Sequence, residues 1–322
     1  MTGLDYRPLG RSGLRVSSVG LGGNNFGRPG TATETQEGTD AVVAAALDAG
    51  VTLIDTADVY GREYGLSETL LGNALRGRRD EVVIATKFGH SSIRSPLPSW
   101  GAGGSRRYIR LAVEGSLRRL QTDWIDLYQL HTPDPGTPVD ETLAALDDLV
   151  REGKVRYIGH SNLSGWQLAE AELLARELGT ARFVSAQNEY SLLSRGAEAE
   201  VLPAARHFGV GFLPFFPLQN GLLTGKFRRD ERPADTRIMR QRSYLVEQAP
   251  WDELDRYRAF AEERGLTMLE ATFGWMLAQP ALASVIAGAT KPEQIRQNAA
   301  AGSAWRPTAA EVAEVSEIFA DR

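Results

Sequence analysis

The chain of 322 residues contains no cysteine. This absence excludes disulfide frameworks, thiolate zinc sites, iron–sulfur clusters and cysteine nucleophiles together. The chain also lacks an uninterrupted apolar run of about 18 residues, so it predicts no membrane-spanning helix. Its first residues, MTGLDYRPLGRSGL, lack the apolar segment of a secretory signal. We therefore expect a soluble, cytoplasmic protein.

Basic residues are in slight deficit, with 36 Lys+Arg against 41 Asp+Glu and a formal net charge of −5. A chain without a basic excess is poorly suited to the phosphate backbone of nucleic acid, and we expect no such partner. The four histidines form no i,i+4 ligand pair, so we expect no metal site. Hydrophobic residues make up 42% of the chain and charged residues 24%, which is ordinary globular composition.

Short β-rich runs alternate with longer segments that have the apolar spacing of helices. Most runs begin about 30 residues apart, which is the size of a βαβ unit. The eight runs are VGLG (19–22), VTLID (51–55), VVIATK (82–87), IDLYQLH (125–131), VRYIGHS (155–161), FVSAQNE (183–189), GFLPFF (211–216) and SVIAG (284–288). They predict an α/β fold, a closed (β/α)8 or TIM barrel. No linker divides the sequence, so we expect residues 1–322 to form a single domain.

Other segments complete this predicted architecture. Residues 6–16 predict an N-terminal β-hairpin, and residues 308–319 predict an additional C-terminal helix. Two connections are unusually long, at 89–104 and 219–250, and each follows the carboxyl end of a strand, where barrel active sites lie. Each connection is either a lid over the site or a solvated insertion. The six helices predicted between the strands span 39–49, 67–75, 107–120, 139–152, 166–178 and 198–208.

Four residues with acid–base chemistry stand at the ends of consecutive predicted strands. Asp55, Lys87 and His131 end the second, third and fourth strands, and Tyr60 follows Asp55 by five positions. Strand ends in a parallel barrel are neighbours around one rim. Taken singly, each residue has an ordinary structural explanation, such as a cap or a solvated side chain. Together they predict that a carboxylate, a phenol, an ammonium and an imidazole converge.

Such a group has a definite chemical use. A phenol has a pKa near 10 and is a poor acid at neutral pH, but a nearby lysine cation lowers that pKa. A carboxylate beside the lysine keeps it charged and oriented. Tyr60 can then give its proton to a carbonyl oxygen while a hydride reaches the carbon. His131 can donate a hydrogen bond to the same oxygen.

Other apparent motifs are incomplete. The segment 221–227 is one residue short of a phosphate loop and has Phe227 where Ser or Thr must reach Mg²⁺. The segment 159–163 begins like a nucleophile elbow but lacks the second glycine. A barrel hydrolase would need a nucleophile or paired carboxylates at the rim, and the sequence predicts neither arrangement.

Seven segments then follow one another along nearly the whole chain: DTADVYG (55–61), ATKFG (85–89), LH (130–131), GHSN (159–162), QNEY (187–190), FFPLQNGLLTGK (215–226) and GATKPEQIRQN (288–298). They resemble, in order and spacing, the motifs of the aldo-keto reductases. This resemblance implies a barrel that reduces carbonyl compounds with NADPH. Asp55, Tyr60, Lys87 and His131 match the catalytic tetrad of that family.

The resemblance also implies where NADP(H) binds. The matched residues are Gly22 and Asn24 near the nicotinamide ribose, Ser161, Asn162 and Gln187 at the carboxamide, Phe215 stacked on the ring, Phe216, Pro217, Leu218 and Lys226 along the pyrophosphate, and Gly288, Thr290, Gln294 and Asn298 at the adenine end. Thr290 and Lys291 stand at a predicted helix N-terminus, where they can contact a 2′-phosphate. Phe216 departs from the family by replacing a common Ser, and Asn24 by replacing a bulky residue. His160 replaces an aliphatic residue, and we expect it to pack beside the core.

The function implied by the resemblance is the reversible reduction of a small-molecule aldehyde or ketone to an alcohol. The alternative is a cofactor-binding regulatory subunit, because the potassium-channel β subunits are similar barrels. The intact tetrad favours an enzyme. Neither the particular carbonyl substrate nor the oligomeric state is predicted by the sequence.

Overall fold

The protein is described by a computed structural model that covers residues 3–93, 95–98, 100, 102–234 and 236–320. Within these ranges the chain forms ten strands and a set of surrounding helices. The strands are β1 (Tyr6–Pro8), β2 (Arg15–Ser17), β3 (Val19–Gly22), β4 (Leu53–Asp55), β5 (Val83–Phe88), β6 (Ile125–Leu130), β7 (Val155–Ser161), β8 (Phe183–Gln187), β9 (Gly211–Phe212) and β10 (Val285–Gly288).

The last eight strands form one parallel sheet in chain order, with β10 placed beside β3. A parallel bridge between Phe212 and Leu282 joins the remaining two edges. There the N–H of Phe212 donates to the carbonyl of Ala281 at 2.7 Å, and the N–H of Ala283 donates to that of Phe212 at 2.9 Å. The predicted (β/α)8 barrel is therefore confirmed, with β1 and β2 forming the predicted antiparallel hairpin.

Helices cover the outside of the barrel. They are α1 (Gln36–Asp48), α2 (Leu66–Ala74), α3 (Arg106–Leu120), α4 (Val139–Arg151), α5 (Gly165–Leu178), α6 (Val201–Phe208), α7 (Arg237–Gln241), α8 (Tyr244–Glu247), α9 (Trp251–Glu263), α10 (Met268–Leu277), α11 (Pro292–Ala304) and α12 (Ala309–Ile318). The first six begin within three residues of their predicted starts. Glycines at positions 50, 179 and 209 follow three of them with φ of +81°, +66° and +71°, the left-handed geometry of a helix end.

The long connection at 219–250 contains helices that the sequence analysis did not predict. Short helices α7 and α8 lie within it, and α9 follows it directly. Position 235 of this connection lies outside the described residues, as do positions 94, 99 and 101 of the 89–104 connection. The predicted C-terminal helix is α12, which docks where Nε1 of Trp275 donates to Oγ of Ser316 at 3.0 Å. Across the described ranges, no helix is both long and apolar enough to cross a membrane.

Apolar side chains fill the barrel and seal its amino end. The cluster inside the sheet consists of Leu9, Val16, Leu53, Ala85, Leu127, Leu213, Ala283 and Ile286. Leu9 comes from the hairpin, whose turn is tied down where the N–H of Arg11 donates to the carbonyl of Gly209 at 2.7 Å. Gly10 has a φ of +59°, and a Cβ there would lie 2.5 Å from that same carbonyl oxygen. This end is closed, which leaves the carboxyl ends of the strands as the open rim.

Candidate active site

Strand register brings the predicted catalytic residues to one rim. Asp55 pairs with Gly22 on one side and with Ala85 on the other. Lys87 pairs with Gln129, two positions before His131. Asp55 is 32 residues from Lys87 and 74 residues from Gln129 in the chain. The parallel register therefore converts similar positions along successive strands into spatial neighbours.

Asp55 and Lys87 form a buried ion pair. Nζ of Lys87 donates to the two carboxylate oxygens at 2.7 and 2.6 Å, and to the carbonyl of Thr56 at 2.9 Å. The side chains are 6% and 0% exposed, respectively. Burial by itself lowers the pKa of Lys87, but the charge of Asp55, followed by interactions with Tyr60, opposes burial and leaves that pKa raised. Lys87 therefore remains a cation inside the protein.

Tyr60 lies beside this pair on the loop after β4. Its N–H donates to the carbonyl of Ala57 at 3.2 Å, and its own carbonyl accepts from the N–H of Ser67 at 3.1 Å. Nζ of Lys87 is 5.2 Å from the centroid of the phenol ring. Burial raises the pKa of Tyr60 and exceeds the opposing effect of the Lys87 cation, so the net shift is upward. The contribution of Lys87 has the expected sign, but desolvation of the phenolate outweighs it.

His131 completes the group as a neutral imidazole. Its ring contacts that of Tyr60 edge-on, with 5.8 Å between the centroids. Burial, and then the charge of Lys87, lower its pKa well below the ordinary value. Nδ1 is buried without a hydrogen-bond partner among the described residues. A neutral ring next to the phenol can donate one hydrogen bond to a carbonyl oxygen.

Two glutamines complete the surroundings of Asp55, and sequence reasoning missed this role for both. Nε2 of Gln187 donates to Oδ1 of Asp55 at 2.9 Å, across 132 residues of sequence. Nε2 of Gln129 approaches the same oxygen at 3.5 Å. The family resemblance places Gln187 at the nicotinamide carboxamide, and in this structure its amide nitrogen donates to the carboxylate of Asp55. The only sequence signal for either residue is its place near a strand end.

Ser161 and Asn162 lie next to Gln187, as the matched motif implies. Oγ of Ser161 donates to the carbonyl of Gln187 at 2.7 Å, and Nδ2 of Asn162 donates to the carbonyl of His131 at 2.9 Å. Asn162 has a φ of +64°, an uncommon conformation for a residue with a side chain. The turn after β7 is therefore held to the tetrad by polar contacts.

The segment matched to the pyrophosphate has a strained backbone. Phe216, Gln219 and Asn220 have φ values of +53°, +43° and +57°. Non-glycine residues with positive φ cluster at ligand sites, and turns of this kind aim backbone N–H groups into anion-binding concavities. Oε1 of Gln219 is buried without a partner among the described residues. The flanking residues matched to the cofactor are Phe215, half-buried with its ring 5.3 Å from that of Phe216, Pro217, buried, Leu218, half-buried, and Lys226, exposed.

The adenine-end residues gather at the start of α11. Oε1 of Gln294 accepts from the N–H groups of Thr290 and Lys291 at 2.7 and 3.2 Å. The hydroxyl of Thr290 donates to the same oxygen at 3.1 Å, so these three donors are already engaged, whereas the ammonium of Lys291 is exposed. Asn298 is buried one turn further along, and Gly288 pairs with Gly22. Gly288 of the matched adenine end and Gly22 of the matched nicotinamide ribose site therefore lie side by side at the rim.

A cavity of about 800 Å³ lies under the 89–104 connection. His90 lines it and contacts the ring of His131 edge-on, with 4.6 Å between the centroids. Nδ1 of His90 accepts from the N–H of Ser92 at 3.1 Å. Trp100 also lines the cavity and is 79% exposed. The guanidinium of Arg107 lies over its ring, 4.1 Å from the centroid. The four residues of the predicted catalytic group do not line this cavity, and the ring of His90 lies between it and His131.

Two further polar residues are buried near the rim. His160 packs against Phe183, with 5.2 Å between the rings, and both of its nitrogens lack partners among the described residues. Burial lowers the pKa of His160 to about 3. Asp58 accepts from Oη of Tyr64 at 2.6 Å, and burial raises its pKa to about 7. His160 thus packs in the core as expected, and Asp58 is a hydrogen-bonded loop residue.

Comparisons with known proteins agree with this geometry. The model of the Aldo/keto reductase family matches residues 18–320. The uncharacterized oxidoreductase YrpG of Bacillus subtilis (strain 168) is 42% identical over 301 residues, covering 91% of this chain and 89% of that protein. A probable voltage-gated potassium channel subunit beta of Oryza sativa subsp. japonica is 35% identical, covering 92% and 90%. L-glyceraldehyde 3-phosphate reductase of Escherichia coli (strain K12) is 32% identical, covering 99% and 93%.

Proposed function

The chain belongs to the aldo/keto reductase family, and from that premise we propose that it reduces an aldehyde or ketone to an alcohol with NADPH as reductant. The observation that carries this proposal is the convergence of Asp55, Tyr60, Lys87 and His131 at the open rim of the barrel. The family relationship supports an oxidoreductase. The assignment of these four residues as the catalytic group rests on their geometry.

Each of the four residues has a separate task in the proposed reaction. Tyr60 is the proton donor, since its raised pKa keeps the phenol protonated at neutral pH. Lys87, held charged by Asp55, stabilises the phenolate that remains after the proton has moved to the carbonyl oxygen. Neutral His131 donates a hydrogen bond to that oxygen and orients the carbonyl. Solvent then returns a proton to Tyr60, so the carbonyl gains one hydride and one proton in total.

The chemistry of the rim fits a nicotinamide cofactor, which when bound supplies the hydride to the carbonyl carbon. Phe215 offers a half-buried aromatic face for stacking. The positive-φ segment around Phe216, Gln219 and Asn220 would lie along the pyrophosphate, with the N–H of Gln219 already donated to the carbonyl of Phe216 at 2.9 Å. Ser161 and Asn162 would hold the carboxamide, with the free oxygen of the Gln187 side chain beside them. Gly22 and Asn24 would lie against the ribose.

Preference for NADPH over NADH is proposed from the start of α11. Gln294 already engages the backbone donors of Thr290 and Lys291. The Thr290 hydroxyl also donates to Gln294, at 3.1 Å, so the exposed Lys291 ammonium would supply the main contact for a 2′-phosphate, and a charge-assisted contact of this kind is the stronger type. Asn298 and the open backbone at Gly288 would complete the adenine site.

The experiment that tests the proposed reaction is the Tyr60→Phe substitution. It removes only the proton donor, so we expect kcat to fall by roughly 10²–10⁴ with the NADPH dissociation constant little changed. Tyr6→Phe is the matched control, because it removes a phenol at the closed end of the barrel that donates to the carbonyl of Gly50. Near-normal turnover of aldehydes by Tyr60→Phe would contradict the assignment.

A second candidate is a cofactor-binding regulatory subunit. The 35% identity to a protein named as a potassium channel subunit beta supports it. Tight NADPH binding without turnover of any aldehyde or ketone by the unmodified chain would favour this candidate. Loss of NADPH absorbance with a panel of carbonyl compounds would favour the reductase.

We also propose that residues 1–322 form one domain. The hairpin seals the barrel, and α12 docks on the outer helices. A single cooperative unfolding transition, coincident by fluorescence and circular dichroism, is the expected result.

A further inference from the structure

Arg28 lies at the rim, on the loop that follows β3. Its Nε and Nη2 donate to the carbonyl of Asn24 at 3.3 and 3.2 Å, and Nη2 also donates to the side-chain oxygen of Asn24. Its Nη1 donates to Oε1 of Gln241 at 3.2 Å, at the end of α7. The Asn24 side chain in turn interacts with the Tyr60 phenol. Arg28 is therefore fixed in place, one side chain away from the proposed proton donor.

The charge of Arg28 is not compensated. Among the residues that the structure describes, neither Arg28 nor Arg242 has a carboxylate within ion-pairing distance. Burial, and then the nearby charge of Arg242, lower the pKa of Arg28. Lys87 adds no net charge to the rim because Asp55 matches it. Arg28 and Arg242 thus place two guanidinium groups near each other at the rim, and their charge favours the binding of an anion there.

The two guanidinium groups differ in their surroundings. Arg242 lies over the ring of Phe216, 5.1 Å from its centroid, and so belongs to the segment proposed for the cofactor pyrophosphate. Arg28 instead donates to Asn24, whose side chain interacts with the Tyr60 phenol. Of its five N–H donors, the four contacts above leave one on Nη1 free. A guanidinium held in this way can form a charge-assisted contact with a carboxylate or phosphate.

We propose that Arg28 binds an anionic group of the carbonyl substrate, a carboxylate or a phosphate, and thereby makes the enzyme prefer acidic aldehydes to neutral ones. This inference rests on the proposed reductase function. The anion bound by Arg28 can belong either to the substrate or to the phosphates of the cofactor. The test distinguishes these two sources.

The test compares 4-carboxybenzaldehyde with benzaldehyde in the full chain. The readouts are the ratio of the two kcat/KM values and the NADPH dissociation constant. Both substrates are measured on one preparation, so the ratio does not depend on the fraction of folded protein. In Arg28→Gln the ratio should fall about 10–100-fold, the range expected for a charge-assisted hydrogen bond, and mainly through KM. Arg28→Lys keeps the positive charge but lacks the planar guanidinium, and its kcat/KM ratio should lie between those of Arg28→Gln and the unmodified chain.

Arg62→Gln is the matched control. Arg62 lies on the neighbouring rim loop, is 54% exposed and is paired with Glu34 at 3.5 Å and Glu63 at 3.6 Å. Its replacement removes the same charge, and the substrate ratio should stay constant. If Arg28→Gln and Arg62→Gln lowered the substrate ratio equally, the cause would be the long-range electrostatic potential of the protein, and the inference would be overturned.

Two results would overturn the proposal and leave the reductase function intact. One is equal use of both aldehydes by the unmodified chain. The other is a normal substrate ratio in Arg28→Gln together with a raised NADPH dissociation constant, which would assign Arg28 to the cofactor. Failure of the unmodified chain to reduce either aldehyde while NADPH binds would instead contradict the proposed function, and this inference with it.

Discussion

Removing both members of the Asp55–Lys87 ion pair should destabilise the protein by less than the sum of the two single removals. The two side chains are almost fully buried, and the nitrogen lies 2.6–2.7 Å from both carboxylate oxygens. Losing one partner leaves the other as an uncompensated buried charge, which costs about 3–5 kcal/mol. Losing both leaves neutral groups of similar volume.

The structure and ordinary pKa values set an upper limit on each single effect. In Asp55→Asn, Lys87 keeps the carbonyl of Thr56 at 2.9 Å and can shed its proton, which costs about 5 kcal/mol at pH 7. In Lys87→Met, Asp55 keeps the amide of Gln187 at 2.9 Å but is left buried without its cation, which costs about 3–5 kcal/mol. The double variant should therefore be more stable than the sum of the single effects by about 3 kcal/mol.

The assay is urea denaturation of the four proteins, followed by tryptophan fluorescence. The exposed pair of Arg78 and Glu81, 2.7 Å apart, serves as the control cycle and should be additive. The pH dependence gives a second readout. In Asp55→Asn the carboxylate that counteracts burial is missing. Burial should therefore lower the pKa of Lys87 below its unfolded value of 10.5.

The sign of that pH effect follows from proton binding. Between the lowered folded pKa and the unfolded pKa of Lys87, the unfolded state binds more protons than the folded state. The free energy of unfolding of Asp55→Asn should therefore rise between about pH 7 and pH 9, relative to the unmodified chain. Additive single effects in the double variant, or a flat pH profile in Asp55→Asn, would refute the reasoning.

Three further predictions concern the cofactor, the core and the loop that carries the phenol. Thr290→Ala/Lys291→Ala should narrow the preference for NADPH over NADH about tenfold, measured as dissociation constants by fluorescence; equal affinities in the unmodified chain would contradict this. Burial lowers the pKa of His160 to about 3, against 6.5 in the unfolded chain. Between these values the unfolded state binds more protons, so the free energy of unfolding decreases as the pH is lowered. His160→Leu should abolish this loss, about 2 kcal/mol between pH 7 and pH 5 in urea titrations, and an unchanged profile would count against it. Gly61 has a φ of +109°, so Gly61→Ala should cost about 1–3 kcal/mol and lower kcat, whereas Gly77→Ala, with open space around its Cβ, should leave kcat unchanged.

The barrel could be predicted from the sequence because its signals are local. Alternation of β-rich and helical segments depends only on neighbouring residues, and the strand positions follow from it. Glycines at helix ends and the hairpin turn are equally local features. The unpredicted helices lie between β9 and β10, where Arg-rich stretches and proline obscure the periodicity. These helices, α7 to α10, become recognisable only when the folded structure shows which surface of the barrel they cover.

Some features of the candidate site are likewise local in the sequence, and others depend on the folded chain. Placement of Asp55, Lys87 and His131 at successive strand ends is a property of the sequence, and parallel register makes these residues neighbours. The contacts of Gln187 with Asp55 and of Arg28 with Gln241 span 132 and 213 residues, and no local pattern encodes them. They depend on which side chains the closed barrel turns toward each other.

The protonation states were decided by tertiary structure alone. From the sequence, a lysine near Tyr60 predicts a lowered phenol pKa, because opposite charges attract. In the folded chain the same phenol is buried, and burial raises its pKa by more than Lys87 lowers it. Residue types and strand order thus determined which groups meet at the rim. The balance between desolvation and charge depends on how completely the barrel excludes water, and only the folded structure sets that balance.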